Sequence, residues 1–366
     1  MEPDLDVEVV WIPLSTGDVP ALERMLSEVD PFVTSTIDTS APYRLANYVR
    51  NALYGDHEVR ALLDRNLISR AVALASGQVV DHGRPGSDMY RLAAACMAFL
   101  ITARATIEPN IALYELAAFE PNKAREQTRK WRVADHVHPQ AYLDVALGRS
   151  RSIDQLVLRE ARRLAARLPA ESPPLEARLR HYRRHYSALL QIALLDRTNL
   201  SPAEKLHRLI DWSMSSGFFD GLATSFAIVF FGPNRAGRMM KNVRSSSGRR
   251  CLAGVRNAAW DLTYLSCWVN YATAPAPCLW IFGTGDRVLA RVARAAIAGE
   301  DRSPVELFRE NWPSDEAIDL SAHYTDAWKR VRDSSERGAE LQERFEKLDD
   351  LVAEIEGRIL QTCIEP

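Results

Sequence analysis

The sequence predicts an α/β fold with a short sheet and a large excess of helix, on three observations. Two strand-like runs, EVRALLDRNL and PAPCLWIFGTGD, each pass directly into a helical stretch. From about Asn122 to Leu252, one helical pattern follows another almost without a break. Near the C-terminus, Leu341, Phe345, Leu348, Val352, Ile355 and Ile359 recur at four-three spacing.

Taken in order, VEVVWIPL reads as a first strand, and Asp18-Val-Pro opens a helix to about Val29 because Asp caps well and Pro suits the first turn. EVRALLDRNL is a strand ending at Asp64, followed by a helix to Ala75. The loop GQVVDHGRPGSD breaks the pattern with three glycines and a proline. MYRLAAACMAFLITA is a helix almost free of charge on every side, so it should be buried. ATIEP is a short extended piece, and Pro109 starts a helix carrying Glu115. Within the long helical region, Ser201-Pro-Ala-Glu has the form of a capping box with proline at the first helical position. VRNAAWDLTYLSCWVNY is a buried helix, PAPCLWIFGTGD a strand and turn, and RVLARVARAAIAG the helix after it.

The 366 residues, 47% of them hydrophobic, are ample for a real core. A net charge of −2 gives no whole-molecule field toward a polyanion, so any nucleic-acid contact must come from local patches. Five cysteines without a CxxC pair read as reduced thiols. With an acidic N-terminus and no apolar stretch long enough to span a bilayer, the expectation is a cytoplasmic protein without a membrane partner.

Four carboxylates carry the functional argument. Asp64 in ALLDRNLISR, Glu115 in IEPNIALYEL, Asp261 in NAAWDLTYL and Asp286 in WIFGTGDRVLARVA each sit at a strand end or on an apolar helix face. An embedded carboxylate is costly unless paired or bound to a metal, and no matching set of embedded cations accompanies these four. Oxygen ligands of this kind suit one hard divalent cation, Mg²⁺ or Mn²⁺. For Asp64 and Asp286 the plainer alternative is a helix N-cap after a strand.

These four segments resemble the acidic motifs of the PIN-domain nucleases. ALLDRNLISR is similar to the opening hhhDxNhh motif, with Asp64 and Asn66. IEPNIALYEL resembles the second motif and carries Glu115, and NAAWDLTYLSCW the third, with Asp261. WIFGTGDRVLARVA resembles the T-x-D strand end, with Thr284 and Asp286. The resemblance implies a three-layer α/β/α sandwich with a short parallel sheet and a metal-dependent ribonuclease. In it Asp64, Glu115, Asp261 and Asp286 act as catalytic metal ligands, and Asn66 and Thr284 as supporting groups. It also implies a bacterial toxin or defence role, with an antitoxin or defence partner. The long interval between Glu115 and Asp261 implies a large helical insertion, or else that one of the flanking acids, Glu108 or Glu120, takes the place of Glu115. The corresponding boundaries are 1–121 and 248–300 for the core, 122–247 for the insertion and 301–366 for a helical C-terminal extension.

Arg235, Arg238, Lys241, Arg244, Arg249 and Arg250 follow one another without an acid, among glycines and serines, which suits a phosphate backbone. A second Arg-rich stretch, from Arg159 to Arg184, leads to Tyr182 and Tyr186 interleaved with His181 and His185, and tyrosines can stack on unpaired bases. Together these suit a nucleic-acid partner, and the resemblance implies RNA. The rival class is an inactive nucleic-acid-binding or scaffold protein, and a structure-specific DNA nuclease is the third reading. The C-terminal heptads read as a helix packing on its own domain, or as a homodimer-forming coil.

Overall fold

A computed structural model describes residues 13–15, 17–34, 42–55, 57–168, 180–216, 219–233, 240–275, 278–301, 304–334 and 338–363. The chain is α/β and divides into two compact units, one of residues 1–177 and 271–287 and one of residues 178–270 and 288–366. The expected first strand, VEVVWIPL, falls almost wholly outside the described residues. Among those described, no helix is long and apolar enough to cross a membrane.

The first unit holds α1 (Val19–Val29), β1 (Phe32–Thr34), α2 (Leu45–Tyr54), β2 (Glu58–Leu63), α3 (Arg65–Ala75), α4 (Ser87–Thr102), β3 (Thr106–Glu108), α5 (Asn110–Phe119), α6 (Pro121–Ala134), α7 (Pro139–Ala146), α8 (Gln155–Ala165) and β4 (Cys278–Gly283). Its sheet runs in the order β1-β4-β2-β3. β2 is parallel to both neighbours, with Leu63 opposite Gly283 and Leu62 opposite Glu108. β1 pairs antiparallel on the outer side of β4, so the sheet is mixed where the sequence predicts a parallel one. Three residues are too few to show a strand period, and the partner strand lies far along the chain. In β2 and β4 the inner residues Ala61, Leu62, Leu63, Ile281 and Phe282 are buried without alternation, as expected for strands covered on both faces.

α4 is buried along almost its whole length from Leu92 to Leu100 and packs against α3 and α7. An all-apolar helix needs partners on more than one side, and the buried Tyr142, Leu143 and Val145 of α7 supply one of them. α6 packs on α3, α5 and α8, so α6 and α8 belong with the sheet unit, within the stretch that the sequence marks as an insertion. Asp18 does not cap α1 through its side chain; its carboxylate takes a two-point ion pair from Arg149 and a hydrogen bond from Gln140.

The second unit holds α9 (Arg180–Asp196), α10 (Pro202–Ser216), α11 (Gly221–Phe231), most of α12 (Gly248–Ala272), most of α13 (Arg287–Asp301), α14 (Pro304–Arg309), α15 (Ser314–Ser334) and α16 (Gly338–Thr362). The capping box forms as predicted, Ser201 N donating to Glu204 at 2.8 Å and Glu204 N to Ser201 Oγ at 3.3 Å. α16 lies along α9 and buries Leu348, Ile355 and Ile359 within the chain. Inside this unit the wholly buried His185 meets the equally buried Asp220 at 2.5 Å, tying α9 to the start of α11. Tyr182 packs on Trp260 at 4.6 Å, and the buried Tyr186 bonds through its hydroxyl to Glu356 and Arg256. Both rings are used internally, whereas the sequence suggested that they offer faces to bases.

Gly254 marks a close backbone approach in this unit. A Cβ there would sit 1.7 Å from the carbonyl oxygen of Lys241. Gly254→Ala should therefore push the 240–247 segment off α12 and cost upwards of about 3 kcal/mol, the top of the range for overpacking. A chemical-denaturation midpoint unchanged from the parent would refute that close approach.

Candidate metal and phosphate site at the sheet edge

Parallel pairing brings the carboxyl ends of β2 and β4 side by side, and in open α/β sheets ligand sites form beyond such ends. Asp64 follows β2 and extends the ladder by one bond, its N–H donating to Gly283 O at 2.9 Å. Gly283 has no room for a side chain, since a Cβ would meet Leu63 Cδ2 at 2.3 Å. This close fit brings the TGD turn against Asp64.

Asp64 is only 3% exposed, and its oxygens are well used. Oδ1 accepts from Leu67 N at 2.8 Å, which caps α3, and Oδ2 accepts from Thr284 Oγ1 at 2.6 Å. Thr284 is itself held from three sides: its N–H donates to Pro31 O at 2.9 Å, and its hydroxyl accepts from Asp286 N at 3.0 Å while donating to Asp64. Asp286 is half-buried, and its negative charge acts on Asp64. Burial pushes the Asp64 carboxyl above its ordinary range, and the Asp286 charge adds to that; the hydrogen bonds from Thr284 and Leu67 oppose it but do not reverse it.

Asp64, Thr284 and Asp286 are thus brought together. Glu115 belongs to the same unit, is 8% exposed, and accepts an ion pair from Arg65 Nη1 at 2.8 Å. Its carboxylate is already answered by a cation that directly follows Asp64 in the chain. Asn66 is exposed on the first turn of α3, where its carbonyl accepts from Arg70. Asp261 lies half-buried in α12, within the second unit, between the buried Trp260 and Leu262. Among the described residues, no three His, Cys, Asp or Glu side chains gather to hold a metal ion.

Two groups at this edge carry no weight in the sequence motifs. Arg65 is the residue that brings Glu115 toward the site, and its only sequence signal is its place beside Asp64. Glu108 ends β3, opposite Leu62 of β2, where Asn110 donates to it at 3.1 Å. From sequence it is a rival to Glu115, and only the strand register sets it on the carboxyl edge.

The basic segment is more varied than its composition suggests. Arg244 is taken up by a two-point ion pair to the buried Asp196, at 2.7 and 2.9 Å. That pair also explains how Asp196 is tolerated inside the unit. Lys241, Arg249 and Arg250 are exposed, the last two on the first turn of α12. Arg235 and Arg238 lie outside the described residues. No protein-family model matches this chain, and neither does any curated protein or solved structure.

Proposed function

We propose that the carboxyl edge of the first unit's sheet is the cation site of a metal-dependent nuclease of PIN-like type acting on RNA. The observation that carries this reading is the buried Asp64 carboxylate set beside Asp286 at the ends of two adjacent parallel strands. The donor set fits the cation. Mg²⁺ commonly takes one or two protein carboxylates and keeps several waters. A carboxylate offers about four lone-pair positions; two donors reach Asp64, one on each oxygen, which leaves room for a cation. A bound Mg²⁺ or Mn²⁺ would polarise the scissile phosphate and lower the pKa of an attacking water.

The chain's own residues have separable tasks in this reading. Asp64 binds, and Thr284 fixes its orientation through a 2.6 Å bond. Asp286, more open to solvent, accepts the proton of the attacking water. Arg65, steadied by Glu115, supplies positive charge for a backbone phosphate next to Asp64. Lys241, Arg249 and Arg250 supply the exposed basic surface for further phosphates.

A second reading, an inactive nucleic-acid-binding or scaffold protein, draws on the capping role of Asp64 and on the Arg65–Glu115 pair. Metal titration separates the two. For the nuclease, millimolar Mn²⁺ should raise the melting temperature by a few degrees, since a ligand at 100 times its Kd stabilises by about 2.7 kcal/mol. The gain should vanish in Asp64→Asn. Superimposable melting curves with and without Mn²⁺ would favour the scaffold.

A further inference from the structure

We propose that the second unit carries a binding pocket for a 5′-mononucleotide, independent of the nuclease reading. The pocket, about 740 Å³, lies among α9, α10, α16 and the turn after α9. That is within the usual range for small-molecule sites and larger than a free phosphate needs. Three arginines line it, Arg197, Arg208 and Arg358, against one acid, Asp211.

The charge balance is what points to an anion. The Asp211 carboxylate already faces His323 Nε2 at 2.9 Å. Arg197 is held by two neutral acceptors, its Nη2 donating to the carbonyls of Val243 and Ser245 at 2.8 Å each. Among the described residues neither Arg197 nor Arg208 has a carboxylate within 4 Å, although the exposed Glu204 acts on Arg208 from further off, and Arg358 has Glu354 at 3.9 Å. Three guanidinium groups around one cavity, without a matching set of carboxylates, are suited to a phosphate monoester. The remaining lining suits a nucleoside: Leu194 and Leu195 offer an apolar wall, and Gln191 brings a buried amide oxygen that lacks a donor. An exocyclic amine of a base would satisfy that oxygen.

The test uses the full chain and calorimetric titration with 5′-AMP, adenosine and inorganic phosphate. Asp64→Asn is the background, so that binding at the sheet edge does not count. AMP should bind, with affinity falling as salt rises, and both adenosine and phosphate should bind at least tenfold more weakly. Arg208→Ala with Arg358→Ala should weaken AMP at least tenfold; both side chains are exposed, so the fold should survive. No AMP binding at millimolar concentration would overturn the proposal, as would an affinity unchanged in the double variant. Phosphate binding as tightly as AMP would overturn the nucleoside part. AMP binding by the parent that disappears in Asp64→Asn would assign it to the sheet edge instead.

Discussion

Asp64→Asn should lower Mn²⁺-dependent cleavage of single-stranded RNA by about 10²–10³-fold, the loss seen when one preorganised electrostatic group is removed. Asparagine keeps the shape and can still cap α3, so RNA affinity should be unchanged. The stability of the metal-free variant supplies an independent check. Burial and the Asp286 charge raise the folded-state pKa of Asp64 above its unfolded value of about 3.9. The stability this group contributes is therefore full below that unfolded value, and it is lost as pH rises through the raised folded pKa. At neutral pH the raised pKa therefore works against the apo fold. Asp64→Asn should consequently melt at the same temperature as the parent or higher without metal, and gain nothing from Mn²⁺. Replacing Lys241, Arg249 and Arg250 together by Ala should instead weaken RNA binding and flatten its salt dependence, by about one unit of log-log slope for each phosphate no longer neutralised. Undiminished cleavage by Asp64→Asn would remove Asp64 from the catalytic set.

Asp220→Ala should be the most damaging change in the second unit, at about 3–5 kcal/mol, the range for breaking a buried charge pair by removing one partner. His185 would be left fully buried without its carboxylate, and α11 would lose its cap, because Asp220 Oδ1 accepts from Ala223 N at 3.1 Å. Burial alone would raise the Asp220 pKa, but the His185 and Arg184 charges outweigh it and hold the carboxyl well below its ordinary range. For an acid depressed in this way, stability is present above the unfolded value of about 3.9 and lost as pH falls through the folded one. The gap in unfolding free energy between parent and variant should therefore be wide at pH 7 and narrow below about pH 3. A constant gap across that range would mean that the cost is packing and not charge.

The sequence by itself determined most of the local structure. β2, β3, β4, α3, α4, α12 and the capping box at Ser201 stand where period, capping residues and turn signals put them, because each depends on neighbours a few residues away. It also singled out Asp64, Thr284 and Asp286, whose meeting follows from two parallel strands ending together. What the tertiary structure decided depends on partners far along the chain. β1 pairs with β4 across about 250 residues, the Glu115 carboxylate goes to Arg65, and Arg244 goes to Asp196. His185 finds Asp220 across the second unit, 35 residues further along the chain. A charge on a helix face reads the same in sequence whether it meets solvent, a phosphate or a buried counter-ion. Only packing chooses among them, because the cost of desolvating a charge depends on what stands opposite it.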